Sequence, residues 1–344
     1  MEWKKYMRIF MVLFVTCLIG LVAFQLNSSA IGAFHPGQPD MPALRKMDYF
    51  PSLIHTRAKM ATALKHERFN YGLFGNSRSL MVGRQLLDLP AEQYFNFSLS
   101  GQSFRNSVML LNWLSKVGKL PKMAIISVDH FGLELFGNGT VPSPSLRLRS
   151  LIRDLESIHD FGGSWRTYIR TSWRFIWSFW QDLKMLFSAE ALFRSAELLF
   201  STGSDRTTSN YRDDGSRKQT RRLEGPTLPV SALQPSRRQI DPALMQVDLR
   251  NLRDLQEHHD VKLFIYESPL HPNVRYNNSQ HQKIRKLFLR TCTQFDLECI
   301  PAPSLNAFKT NEKWSDWTHA PETLLATWLK TKVIGRTIDK DPSR

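Results

Sequence analysis

Gly75-Asn76-Ser77-Arg78-Ser79 follows a short apolar run near the start of the chain, and Asp316-Trp317-Thr318-His319 precedes a helical pattern near its end. A serine hydroxyl is a weak nucleophile until a neighbouring base takes its proton. A histidine does this when a carboxylate fixes its tautomer and stabilises the imidazolium. An Asp-x-x-His turn delivers both groups from one loop, so Ser77, His319 and Asp316 supply the parts of a hydrolytic triad. A serine on a strand-to-helix turn also has backbone N–H groups nearby that stabilise an oxyanion. The chemistry these groups fit is acyl transfer through an acyl-serine. The plainer alternative is a capping serine at one end and a capping aspartate beside an incidental histidine at the other. No Cys/His spacing points to a metal, and no motif points to a cofactor.

Positioning these groups requires strands that end beside one another. Apolar runs predict strands at Asn70–Phe74, Gln93–Leu99, Met123–Val128, Val261–Tyr266 and Leu297–Pro301. Helical spacing predicts helices at Leu53–Lys65, Arg78–Leu87, Ser107–Val117, Pro242–His259, His281–Phe295 and Pro321–Val333. Continuous apolar strands alternating with helices predict an open parallel sheet covered on both faces. Ligands sit beyond the carboxyl ends of such strands, where Ser77, Gly101, Asp129 and the 268–271 segment all fall.

Residues 135–240 interrupt the alternation. From Trp165 to Phe187, Ile169, Trp173, Ile176, Trp177, Trp180 and Leu183 recur at helical spacing, with Arg166, Arg170 and Arg174 on another side. This face reads either as packing on the main domain or as lying in the headgroup zone of a membrane. Residues 201–237, rich in Ser, Thr, Arg, Gly and Pro, read as a flexible loop.

The 344 residues carry 46 Lys+Arg against 31 Asp+Glu, a formal net charge of +15. That excess suits anionic lipid or an acidic polymer; nothing resembles a nucleic-acid-binding module, and nucleic acid is not an expected partner. Lys4, Lys5 and Arg8 precede an apolar run from Ile9 to Leu26, close to the roughly 20 residues that cross a bilayer. The basic flank puts the N-terminus in the cytoplasm and the remainder outside. A single-pass anchor is the favoured reading; a signal peptide cleaved at Ser28-Ser29-Ala30 is the alternative. Of the cysteines, Cys292 and Cys299 fall in the exported part, where they form a disulfide or remain two free thiols.

The blocks resemble the SGNH/GDSL hydrolase superfamily over about residues 66–131 and 243–335. Gly75-Asn76-Ser77 matches its serine block, Gly101 in Asn96-Phe97-Ser98-Leu99-Ser100-Gly101 its oxyanion glycine, and Asp316 with His319 its Asp-x-x-His block. The resemblance implies a flavodoxin-like three-layer α/β/α fold with about five parallel strands. It departs at Ser127-Val128-Asp129-His130, where the superfamily carries Gly-x-Asn-Asp and uses the asparagine as an oxyanion donor. An ionised Asp129 there repels the oxyanion, so Asp129→Asn is expected to raise ester hydrolysis.

The anchor and the Gly-x-Ser-Arg-Ser string look most like members that move acyl groups onto envelope polymers. By that likeness Ser268-Pro269-Leu270-His271-Pro272 lines the cleft, with His271 as a substrate contact or a loop histidine without a role. Arg78 is a candidate contact for an anionic substrate. The implied partners are an envelope polysaccharide, an acyl donor and a membrane-embedded acyltransferase. The rival functions are a non-catalytic polysaccharide-binding or export-scaffold protein and a lipid esterase at the membrane surface. The expected organisation is an anchor or signal peptide at 1–30, a stalk and first helix at 31–65, the α/β domain at 66–134 and 241–335, the insertion at 135–240 and a tail at 336–344.

Overall fold

The computed structural model describes residues 2–27, 52–90, 92–129, 158–186, 211–217, 242–269, 279–302 and 320–335, with short pieces at 151–152 and 155–156. Five apolar runs form strands: β1 Tyr71–Phe74, β2 Tyr94–Asn96, β3 Met123–Val128, β4 Lys262–Glu267 and β5 Glu298–Ile300. All four neighbouring pairs are parallel, and the spatial order is β2-β1-β3-β4-β5. Chain direction across the sheet therefore reverses between β1 and β3. At that point the connections leave toward opposite sides and open a crevice beyond the strand ends.

Seven helices of two turns or more accompany the strands among the described residues: α1 Glu2–Asn27, α2 Ser52–Lys65, α3 Phe104–Lys116, α4 Trp165–Leu186, α5 Pro242–His258, α6 Ser279–Gln294 and α7 Glu322–Leu329. Side chains alternate across a strand, so adjacent residues serve opposite faces. Phe74, Ile126 and Ile265 meet Met60 of α2, Leu111 of α3, Leu252 of α5 and Phe288 of α6 in one core. Their neighbours Leu73, Ile125 and Phe264 meet Leu325 and Leu329 of α7 in another. The sheet is thus covered on both faces, as the continuous apolar strands require. Ser103, whose hydroxyl accepts from the Asn106 N–H at 3.2 Å, starts α3 three residues before the apolar pattern does.

The helix expected over Arg78–Leu87 is not continuous. A single turn at Ser77–Leu80 stops, and a 3₁₀ turn at Arg84–Leu87 follows. Its carbonyls are taken by groups from elsewhere. Asn96 Nδ2 donates to Ser79 O and Val82 O, each at 2.9 Å, and Tyr94 Oη donates to Val82 O at 2.7 Å. The Arg217 N–H donates to Leu80 O at 2.9 Å. A helix cannot extend through carbonyls already committed to partners outside it.

Part of the expected flexible loop is docked. Residues 211–217 form a tight turn closed by a Tyr211–Arg217 bridge. Asp214 is buried, with Oδ2 accepting from the Arg84 N–H at 2.6 Å and Oδ1 from the Ser216 hydroxyl at 2.6 Å. Arg212 reaches Met81 O and lies 3.5 Å from Glu322 at the start of α7. Polar pins hold this turn together with Tyr211, which packs on the core that contains Phe95 and Leu111, and the rest of 201–237 lies outside the described residues.

Cys292 and Cys299 are joined, tying the end of α6 to β5 across a Cα–Cα distance of 6.1 Å. The expected packing of the α4 Trp/Ile face onto the main domain is not observed. Thr167 and Thr171 are buried instead, and Trp165, Ile169 and Trp173 are exposed. α1 is one continuous helix of 26 residues, and among the described residues no helix is long and apolar enough to cross a membrane.

Candidate functional site

Ser77 follows β1 after a turn that only Gly75 permits. The Gly75 backbone has φ +157°, and a Cβ there would stand 2.4 Å from Ser79 Oγ and 2.5 Å from Ser127 Cβ. Strand β2 continues alongside, with Phe97 N–H donating to Leu73 O at 2.7 Å and Leu99 N–H to Gly75 O at 3.0 Å. The chain therefore turns sharply between β2 and β3, carrying Asn76 and Ser77 over the strand ends. Ser77 itself is half-buried.

Asn76 is the N-cap of the Ser77–Leu80 turn, its Oδ1 accepting from the Arg78 N–H at 3.0 Å. Its Nδ2 donates to Asp129 Oδ2, just past β3. The Arg78 guanidinium turns toward the same carboxylate, Nη1 lying 3.6 Å from Oδ2, with side chains only 7% and 4% exposed. Asp129 is thus held from two sides by the residues flanking Ser77. A buried pair of this kind survives because each charge has a partner.

Beneath this pair lies a layer of hydroxyls. Ser79 Oγ is 2.9 Å from Ser98 Oγ and 3.1 Å from Asn76 O, and Ser127 Oγ is 2.6 Å from Ser268 Oγ. Burial pushes the Tyr266 phenol well above its ordinary range, with the Ser127 and Ser79 hydroxyls and Arg78 acting in the other direction. Ser268 continues the sheet, its N–H donating to Val128 O at 2.7 Å. Further along the same edge, buried Glu267 accepts from Arg285 Nε at 2.8 Å, Arg285 Nη2 at 2.7 Å and the Ala302 N–H at 2.8 Å. These bonds engage Glu267 in fixing α6 and the segment after β5.

Of the residues expected from the sequence, Ser77, Arg78 and Asp129 come together at the reversal between β1 and β3. Gly101 stands on the same sheet edge, in an exposed turn with φ +72° where an added Cβ meets nothing within 4 Å. Asp316, His319 and His271 lie outside the described residues. The guanidinium of Arg78, the candidate contact for an anionic substrate, is buried and directed inward at Asp129. Asn76 was missed as a site residue, although an asparagine immediately before a helical turn is a familiar capping signal. No group of three or more His, Cys, Asp or Glu among the described residues is arranged to hold a metal ion. Comparison with protein-family models, curated proteins and solved structures finds no match.

Proposed function

We propose that this chain is an exported, membrane-anchored serine acyltransferase or acetylesterase acting on a cell-envelope polysaccharide. One observation carries the reading: Ser77 sits on a sharp turn directly after β1, where the strand order reverses and parallel sheets of this kind hold their ligands. Ser77 Oγ attacks the acyl carbonyl while His319 takes its proton. His319 then gives that proton to the departing group, and Asp316 holds the imidazole in the required tautomer. The acyl-serine is resolved by a sugar hydroxyl in transfer or by water in hydrolysis. The Ser77 and Gly101 N–H groups are the donors for the oxyanion, without the asparagine that Asp129 replaces.

Although no described helix is long and apolar enough to cross a membrane, the anchoring half of the proposal draws on the sequence of α1, whose stretch Ile9–Leu26 contains no charged residue and follows Lys4, Lys5 and Arg8. It puts the C-terminal domain on the outer side of the cytoplasmic membrane. A membrane-embedded acyltransferase is the partner that would supply acyl groups there.

A second reading, a non-catalytic polysaccharide-binding or scaffold protein, is favoured by the Asp129 carboxylate near the developing charge. A fluorophosphonate probe separates the two. The enzyme labels at Ser77 and loses labelling in Ser77→Ala and His319→Ala. Absence of labelling in a folded wild-type chain, with envelope acylation unchanged by Ser77→Ala, selects the non-catalytic reading.

A further inference from the structure

α4 is mounted the opposite way from a helix that serves only its own core. At about 100° per residue, Trp165, Ile169, Trp173, Ile176, Trp177 and Trp180 fall within an arc of about 120°. Each of these six side chains is between 46% and 68% exposed. On the opposite arc Thr167 and Thr171 are buried, and Tyr168 packs on Ile158, Leu244 and Val247. The helix therefore docks through threonines and one tyrosine while its large apolar side chains point outward. Soluble surfaces rarely leave a contiguous apolar stripe of this kind to water, because each such side chain gains free energy on leaving it.

We propose that this stripe lies in the headgroup zone of the bilayer that holds α1. Three observations select lipid as the occupant. α4 approaches α1, so the helix that carries the stripe lies beside the proposed anchor. Four of the six side chains are tryptophans, whose amphipathic rings favour the boundary between acyl chains and water. Exposed Arg166 lies at the N-terminal end of the stripe, its guanidinium 5.8 Å from the Trp165 ring centroid, on a chain of formal net charge +15. Those charges match anionic headgroups while the rings enter the apolar layer. The inference rests on the anchoring half of the proposed function and not on its chemistry. Its consequence is a second attachment point, which fixes the orientation of the sheet edge bearing Ser77 relative to the membrane.

The test uses the full chain reconstituted in phosphatidylethanolamine–phosphatidylglycerol vesicles, with a protease site placed within residues 31–50. Before cleavage the protein should float with the vesicles. After cleavage the part bearing α4 should still float. In the variant Trp173→Ser with Ile176→Ser, the floating fraction should fall on the order of tenfold or more, with circular dichroism unchanged. Tryptophan quenching by brominated lipids should fall when the four α4 tryptophans are changed to phenylalanine in a Trp3→Phe background. The inference is overturned if the cleaved wild-type part leaves the vesicles, as monomer or as a dimer covering the stripe. It is equally overturned if that part stays bound regardless of the serine changes and the α4 tryptophans are not quenched. Failure of the uncleaved protein to float would instead remove the anchoring reading, and none of these outcomes bears on Ser77 labelling.

Discussion

The side-chain amide of Asn76 donates to the Asp129 carboxylate across the gap between β1 and β3. That bond fixes which way the Asn76 amide faces, and so leaves Oδ1 to cap the turn that begins at Ser77. Asp129 therefore acts on Ser77 through Asn76 and Arg78. Its placement beside the proposed oxyanion is offset by the guanidinium 3.6 Å away.

Asp129→Asn consequently has a different expected outcome from the one drawn from sequence alone. The change removes the charge facing buried Arg78 and should cost on the order of 3 kcal/mol in urea unfolding, as loss of one partner of a buried pair does. Activity toward a small activated acetyl ester should fall, because the Asn76 cap loses its anchor. Arg78→Leu combined with Asp129→Leu should recover part of the lost stability. An Asp129→Asn variant that is both fully stable and faster would mean that repulsion of the oxyanion dominates.

Gly75→Ala should be more damaging than a surface glycine change. The added methyl meets Ser79 Oγ and Ser127 Cβ at separations no unstrained Cβ tolerates. The turn must move away from β3, with an expected loss of about 1–3 kcal/mol, the cost typical of overpacking. Gly101→Ala, with open space around its Cβ, is limited to the strain of φ +72° and serves as the comparison in thermal unfolding.

Lys59 of α2 is buried, and burial pushes its amine well below the ordinary 10.5, with the Asp214 carboxylate pulling the other way. Between the depressed folded value and the unfolded one, the folded chain binds fewer protons at this site. Stability from this group therefore rises with pH across that window. Lys59→Met should flatten the rise in urea-unfolding free energy measured between about pH 7 and about pH 9.5. Tyr94 and Tyr266, whose phenols burial pushes up, work in the opposite sense only above their ordinary 10.0. An unchanged pH slope in the methionine variant would show that Lys59 titrates as an ordinary lysine.

Cys299→Ser should lower stability by about 2 kcal/mol, the low end for disulfides because the closed loop is short. The bridge spans a sequence separation of 7. Wild-type protein treated with reductant should unfold at the denaturant concentration of the serine variant, and a midpoint unchanged by either treatment would show the bridge to be dispensable.

The strands were legible in the sequence because burial on both faces leaves a continuous apolar signature, as in Met123–Val128. Ser77 was legible because a strand followed by glycine and a small polar residue announces a turn. The interruption at Met81–Gly83 was not, since its cause lies in Asn96, Tyr94 and Arg217, remote residues that take the local carbonyls. The docking of 211–217 was invisible for a related reason. Asp214 and Arg212 act through hydrogen bonds and charge, and a composition of that kind looks the same whether it is solvated or bound. The spacing in α4 predicted an apolar face correctly but carried no information on which way the face points. Lys59 gave no signal at all, because a lysine on a helix ordinarily reaches water.

Lys59 and Asp214 have one more consequence, seen from the rim of the sheet. β2 is an outermost strand, and its outward backbone groups would template pairing with another chain. Here the Asn96 N–H donates to Asp214 O at 2.7 Å, while Lys59 Nζ donates to Asn96 O at 2.7 Å and to Ser98 O at 2.5 Å. The border is sealed by an amine and a folded-back turn instead of a sixth strand. Strand addition and edge-to-edge aggregation are therefore barred on this side for as long as that turn stays in place.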